Sequence, residues 1–103
     1  MYRINVYIPA SHLVAVKEAM FEAGAGRIGN YDCCCWETKG QGQFRPLEGN
    51  NAYIGQTGKL EQVEEYKVEM VCDDSNIYGV LEAMKRAHPY EEPAYDVYQP
   101  LNL

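Results

Sequence analysis

The chain has 103 residues and a mass of 11.7 kDa, with a formal net charge of −6 at pH 7 and a sequence pI near 4.8. This length predicts one domain, residues 1–103, and the acidic balance argues against nucleic-acid and anionic-membrane partners, which need a basic surface. No apolar run approaches the roughly 20 residues of a membrane span, and no basic-then-apolar leader precedes the first strand pattern. We therefore expect a cytoplasmic protein.

The first elements are a strand and a helix. Residues 2–8 alternate between apolar and polar side chains, which is the period of a strand with one apolar face, and Pro9 ends it. Ser11 is a candidate N-cap for the helix that follows, and Gly24 closes this helix. The predicted buried stripe of the helix consists of Leu13, Val16, Met20 and Ala23.

A glycine-rich run at residues 24–29, GAGRIG, matches the G-x-G-x-x-G spacing of dinucleotide sites. Such a site needs a strand before the run and a helix N-terminus after it. Here the run follows a helix and leads into a second predicted strand, residues 31–38. We therefore predict a tight helix-to-strand turn and not a nucleotide site.

Three consecutive cysteines, Cys33, Cys34 and Cys35, fall in this predicted second strand, and Cys72 falls in a later one. The four lack the spacing of a disulfide framework or a zinc ribbon, so reduced thiols are expected. Strand alternation would place Cys33 and Cys35 on one face and Cys34 on the other. Core packing is the favoured interpretation, with a soft-metal or redox role as the alternative.

Residues 40–62 form a glycine-rich excursion with little hydrophobic periodicity, and such long connections are usually functional. Its large apolar side chains, among them Phe44 and Tyr53, are expected to pack against the body or a neighbouring subunit. Residues 65–72 then give the clearest strand pattern. The second helix begins after the capping candidates Asp73, Asp74 and Ser75. Its predicted buried stripe consists of Ile77, Val80, Leu81, Met84 and Ala87.

The second helix is predicted to end at His88, because Pro89 lacks the N–H that a helix needs. Residues 95–98 alternate again and predict a closing strand. Four strands and two helices in this order predict an α+β, ferredoxin-like β-α-β-β-α-β sandwich with a long insertion between strands 2 and 3. Both helices would cover one sheet face. Tyr7 and Tyr98 are candidates for the other face, which we expect to be covered by self-association.

Three blocks of sequence resemble one known module. They are residues 24–31, 48–55 and 88–98, which read GAGRIGNY, EGNNAYIG and HPYEEPAYDVY. The chain resembles the domain inserted in bacterial NGG-interacting-factor-three-like proteins of the YqfO type, here standing alone. It is similar more distantly to CutA and to nitrogen-regulatory PII proteins.

The resemblance implies the same CutA/PII-like fold and a homotrimer. In PII proteins the loop between strands 2 and 3 carries effector and partner contacts, and the excursion at 40–62 has this position. Only this position carries over, because the sequence contains no PII effector motif. We expect that any small-molecule or protein partner would bind through residues 40–62. The parent proteins hold a two-metal site in a main domain that this sequence does not contain, so their hydrolase label is not carried over.

Three hypotheses for function follow. The first is a non-catalytic, oligomeric binding or regulatory module. Its candidate ligand-binding residues are His88, Tyr90, Glu91, Glu92, Arg45 and Tyr53. The second is a divalent-metal (copper or zinc) protein of the CutA type, with candidate ligands His88, Glu91, Cys33 and Cys35. The structural alternative to the second is that His88 satisfies the helix end and Glu91 bonds nearby amides.

The third hypothesis is an enzyme in which His88 transfers protons and Glu91 orients it. No Ser-His-Asp or Cys-His pattern supports nucleophilic catalysis, so we assign no catalytic residue and do not expect an enzyme. A divalent metal is the one cofactor considered.

Overall fold

The computed structural model describes residues 1–101 and 103, and its centre is a four-stranded antiparallel sheet in the order β2-β3-β1-β4. In chain order the strands and helices are β1 Tyr2–Pro9, α1 Leu13–Glu22, β2 Trp36–Phe44, β3 Glu61–Cys72, α2 Ile77–Ala87 and β4 Tyr95–Tyr98. A short 3-10 turn precedes each helix, at Ala10–His12 and Asp74–Asn76. This topology confirms the ferredoxin-like fold expected from the sequence.

The hydrophobic core lies between one sheet face and the two helices. Strand alternation sends every second residue of β1 and β3 toward the helices, which meet the sheet with the stripes predicted for them. The fully buried members are Ile4, Val6, Ile8, Val68, Met70, Val16, Met20, Val80 and Met84. Because these side chains are buried from solvent, replacing one of the methionines with alanine would lower the free energy of unfolding by about 2–5 kcal/mol.

The other sheet face carries no helix, and we call it the open face. Tyr7 and Tyr98 both lie on it, as expected, because they alternate with core residues in β1 and β4. Between them the Asn5 side chain, which is 1% exposed, donates from Nδ2 to Asp96 Oδ1 at 3.0 Å and to the Tyr98 hydroxyl at 2.6 Å. Within the described residues Asn5 Oδ1 is buried and has no hydrogen-bond partner.

The predicted side-chain caps are wrong. Residues 10–12 form a 3-10 turn, so Ser11 lies inside that turn and its hydroxyl contacts His12 Nδ1 at 2.8 Å instead of capping α1. At the start of α2 a backbone bond from Asn76 N to the Asp73 carbonyl, 3.0 Å, closes the equivalent turn without a side-chain cap. Both helices therefore begin through a tighter turn, a common way to satisfy a helix end.

The second strand begins at Trp36, five residues later than predicted. The glycines of the 24–29 run do form a tight turn, with positive φ at Gly24, Gly26 and Gly29, and Cys33 also has a positive φ of 55°. The three cysteines therefore lie in a connection, where Cys33 and Cys35 are exposed. The expectation that these three cysteines pack in the core is therefore wrong, whereas Cys72 in β3 is buried.

The glycine-rich excursion is shorter than predicted, because residues 40–44 continue β2 and residues 61–64 begin β3. These ends pair with each other beyond the point where β1 stops pairing with β3. Strand residues that cover no core need no alternation of apolar and polar side chains. This explains why the hydrophobic periodicity of residues 40–44 and 61–64 is weak. The remaining connection, residues 45–60, is here called the hairpin loop. None of the helices within the described residues has the length and apolar character that a bilayer crossing requires.

Candidate functional site

A groove of about 510 Å³ lies between the hairpin loop and residues 88–94, which we call the corner segment. Its walls come from three parts of the chain that the sheet brings together. The end of β2 and the hairpin loop form one wall, Glu65 of β3 lies at the base, and the corner segment forms the other wall. The residues important here are Phe44, Arg45, Glu48, Tyr53, Glu65, Tyr90, Glu91 and Glu92.

His88 fixes the corner segment from below. Its side chain is buried at the end of α2, and its backbone N–H donates to the Met84 carbonyl at 2.9 Å. Ring atom Nδ1 accepts from Tyr90 N at 3.2 Å, so Nε2 carries the proton and donates to the Tyr7 carbonyl at 2.7 Å. Burial lowers the pKa of His88, while the Tyr7 carbonyl opposes that effect. The imidazole is thus a neutral connection between α2, β1 and the corner.

Tyr90 is the central ring of the groove. Its ring centroid lies 5.9 Å from that of Phe44 and 6.5 Å from that of Tyr53, and the His88 ring packs behind it at 5.0 Å. The Tyr90 hydroxyl donates to Glu65 Oε2 at 2.8 Å. Burial, and then the Glu65 carboxylate, raise the pKa of Tyr90 well above its usual value, so the phenol keeps its proton.

Glu65 reaches Tyr90 because a glycine leaves room for it. Gly42, in the neighbouring strand β2, lies so close to the Glu65 side chain that a Cβ atom at this position would overlap the carboxylate. A glycine in a strand interior often marks such a close approach. With a Cβ atom at position 42, the Glu65 carboxylate would have to move from the place where it accepts from Tyr90.

The hairpin loop is ordered by the side chain of Asn50. Its Nδ2 donates to the Leu47 carbonyl at 2.6 Å and to Thr57 Oγ1 at 2.8 Å, and its Oδ1 accepts from Ala52 N at 3.0 Å. The Asn50 side-chain amide thus connects the first half of the loop, at Leu47, to the second half, at Thr57. Its bond from Ala52 N has the pattern of an Asx turn.

The two walls of the groove are joined directly by Glu91. Its Oε1 accepts from the backbone N of Asn51 at 2.9 Å. His12, in the turn before α1, makes an edge contact with Tyr53, with ring centroids 5.6 Å apart. The hairpin loop is therefore held to the body at two further points.

The structure brings five of the six candidate ligand-binding residues to this groove. Arg45, Tyr53, Tyr90, Glu91 and Glu92 line it, whereas His88 lies behind Tyr90 with both ring nitrogens engaged. Phe44 is half-buried as expected, but Tyr53 remains 52% exposed.

Sequence reasoning missed three contributors, Glu65, Gly42 and Asn50. Glu65 is one of several glutamates in an alternating strand, and no sequence signal distinguishes it from the others. The Asn50-Asn51 pair in a glycine-rich connection was the available signal for a structured loop.

The candidate metal ligands do not converge. Cys33 and Cys35 lie in the connection before β2, Cys35 beside Lys17 and Glu37, while His88 and Glu91 lie at the corner segment. Across residues 1–101 and 103, no three His, Cys, Asp or Glu side chains form a group that could hold a metal ion. Glu91 bonds a nearby amide, as in the structural alternative. The His88 ring instead bonds the Tyr7 carbonyl and Tyr90 N, and only the His88 backbone N–H bonds a carbonyl of α2.

No protein-family model matches the chain. The chain is 48% identical over 98 residues to a GTP cyclohydrolase 1 type 2 homolog of Halalkalibacterium halodurans, covering 95% of this chain and 26% of the relative. The solved structure of a Bacillus cereus protein related to NIF3 matches with 42% identity and a TM-score of 0.83, over 98% of this chain and 26% of that chain. The chain corresponds to one segment of the NIF3-related proteins. It spans about a quarter of the length of these relatives.

The fold is also that of CutA. The periplasmic divalent cation tolerance protein CutA from Archaeoglobus fulgidus matches with a TM-score of 0.69 and 15% identity, over 99% of this chain and 86% of that one. This similarity shows a shared fold and agrees with the resemblance stated from the three sequence blocks.

The hairpin loop provides a first prediction. Asn50→Ala removes three hydrogen bonds, so we expect two loop amides, Ala52 N and Gly58 N, which donates to the Pro46 carbonyl, to exchange with solvent about tenfold faster. This is a loss of about 1.4 kcal/mol of local stability at this exposed site. Asn51→Ala is the matched control, because among the described contacts Asn51 uses only its backbone N–H. Native-state hydrogen exchange measures both, and equal rates in the two variants would contradict the role given to Asn50.

His88 provides a second prediction, on pH. Its pKa is lowered in the fold, so its contribution to stability is present above the unfolded value of 6.5 and is lost as pH falls through the folded pKa. The wild type should therefore lose more unfolding free energy between pH 7.5 and 5.5 than His88→Gln does, measured by chemical denaturation. A wild-type slope in His88→Gln would refute the assignment.

Proposed function

We propose that the chain is a non-catalytic binding or regulatory module that works as an oligomer and takes its ligand in the groove. The observation that carries the proposal is a concave site whose two walls are held by separate hydrogen bonds, those of His88 on one side and Asn50 on the other. Its volume of about 510 Å³ lies within the usual range for small-molecule pockets. The position between strands 2 and 3 is also where the PII resemblance implies effector contacts.

The groove chemistry supports binding over catalysis. His88, which packs behind Tyr90, has both nitrogens in structural hydrogen bonds, and the Tyr90 phenol holds its proton tightly. Neither group is poised to exchange a proton near neutral pH. The relatives' printed name refers to GTP cyclohydrolase, but a groove with four glutamates and one arginine does not suit a polyphosphate.

Divalent-metal binding, the alternative raised by CutA, has no convergent ligand set in its favour among the described residues. A metal salt therefore belongs in the ligand screen as one class among several.

Ligand binding in the groove is tested with a plugged variant. Ala52→Trp places an indole in the groove wall, whereas Ala15→Trp places one on the exposed surface of α1 as the control. Nucleotides, metabolites and divalent-metal salts are screened by thermal shift. We expect at least one compound to raise the Tm of the wild type and Ala15→Trp by a few degrees and to leave Ala52→Trp unchanged. Stabilisation that persists in Ala52→Trp, or no stabilisation by any compound, would overturn the proposal.

Self-association through the open face is the second part of the proposal, with a homotrimer as the form that the CutA resemblance implies. Trp36 and Tyr98, 69% and 50% exposed, lie on this face. Large exposed aromatics beside an uncovered sheet favour a contact with another copy.

The oligomer is tested by native mass spectrometry and light scattering at micromolar concentration. We expect the wild type to form trimers and Trp36→Asp to shift toward monomer, because the change places a charge in the contact. Tyr78→Asp, on the outer surface of α2 where Tyr78 is 85% exposed, should keep the wild-type mass. A monomeric wild type would rule out the contact.

A further inference from the structure

The groove combines an aromatic surface with excess negative charge. From this combination we propose that its ligand is a small organic cation, an amine or quaternary ammonium ion with an apolar body. The inference rests on the proposed function, since it names the ligand class of the same groove. It uses only the contacts and charges of the groove walls.

The aromatic surface is continuous. Phe44, Tyr90 and Tyr53 follow one another with centroid separations of 5.9 and 6.5 Å and with their planes tilted by 56° and 45°. Each of the three rings also lines the groove. A cation that lies over such rings is attracted by the negative potential of the ring faces, and quaternary ammonium ions are recognised in this way.

The charges of the groove are uncompensated. Four glutamates, Glu48, Glu65, Glu91 and Glu92, line it, against a single basic residue, Arg45. Two of these carboxylates accept from uncharged donors, the Tyr90 hydroxyl and the Asn51 amide, and not from a cationic side chain. The ion pairs found within residues 1–101 and 103 join other groups, namely Lys17 with Glu37, Lys39 with Glu64, and the N-terminal amine with Asp74.

The nearby titratable groups leave this charge in place. His88 packs behind Tyr90 as a neutral imidazole and His12 touches only the edge of Tyr53, so neither supplies a fixed cation inside the groove. An incoming ammonium ion would therefore meet carboxylates and ring faces together, the arrangement that desolvates a cation at least cost.

A pair of probes that differ only in charge tests the proposal. Choline carries a quaternary ammonium, and 3,3-dimethylbutan-1-ol has the same shape with a neutral carbon; 3,3-dimethylbutyrate supplies the anion. Each is titrated into ¹⁵N-labelled protein, and amide shifts are followed at Tyr53, Tyr90 and Glu91. We expect saturable shifts with choline and an affinity on the order of tenfold weaker for the neutral alcohol.

Two matched pairs of variants locate the site. Tyr53→Leu removes an exposed ring from the groove and Tyr78→Leu removes one from α2; Glu92→Gln and Glu82→Gln make the same comparison for charge. The groove variants should weaken choline severalfold and the α2 variants should not. Chemical shifts of the unliganded variants confirm that each one folds.

The outcomes separate the two proposals. Equal binding of choline and the neutral alcohol, or stronger binding of the anion at the groove amides, would overturn the cation while leaving the groove as a binding site. Choline shifts that are spread over the surface, or unchanged in Tyr53→Leu, would also overturn it. If no probe of any charge moves a groove amide and the screen with Ala52→Trp is negative as well, the proposed function fails together with the inference.

Discussion

The structure of the groove depends most on the hydrogen bonds made by the buried residue His88. This residue joins the end of α2, the backbone of β1 and the start of the corner segment through one ring. Leaving either nitrogen unpaired in this buried place would cost about 1–3 kcal/mol. The position of Tyr90, and with it one wall of the groove, follows from these bonds. A residue type that suggests catalysis or metal binding thus serves here to position an aromatic ring.

The second wall has a different origin. Strands β2 and β3 continue past the body of the sheet, so the hairpin loop begins where no helix covers it. Such a loop needs its own source of order, which the Asn50 side chain supplies from within. Glu91 then connects the loop to the corner segment. The groove is consequently formed by two independently ordered segments, a usual arrangement for a binding site on a rigid scaffold.

The sequence predicted the parts of the fold that face a core. The apolar-polar alternation of β1 and β3 and the apolar stripes of the two helices are direct consequences of burial. These elements could therefore be predicted from the sequence pattern. The predicted bounds of β2 were wrong for two reasons. The outer half of this strand has no core residues beneath it, and the cysteines before the strand lie in a turn. The prediction of side-chain caps was wrong because backbone atoms of the 3-10 turns make the hydrogen bonds at the helix starts.

The candidate site was predictable in part. The helix-to-strand turn with its polar cluster indicates the corner segment, and the glycine-rich excursion contains Arg45 and Tyr53. The fold brings both parts to one groove. Glu65 was not predictable, because its role depends on the register that aligns it with Gly40 and places it below Tyr90. The metal hypothesis joined Cys33 and Cys35 to His88 on residue type alone, and only three-dimensional placement separates them.

Gly42 affects the position of a carboxylate in the groove. The position is in an edge strand and has no side chain to bind a ligand, yet the missing side chain leaves the space that the Glu65 carboxylate occupies. Even alanine there would have to push that carboxylate aside and free the phenol above it. A glycine in an edge strand, with no side chain of its own, thus leaves the space in which a carboxylate of the neighbouring strand becomes part of the groove.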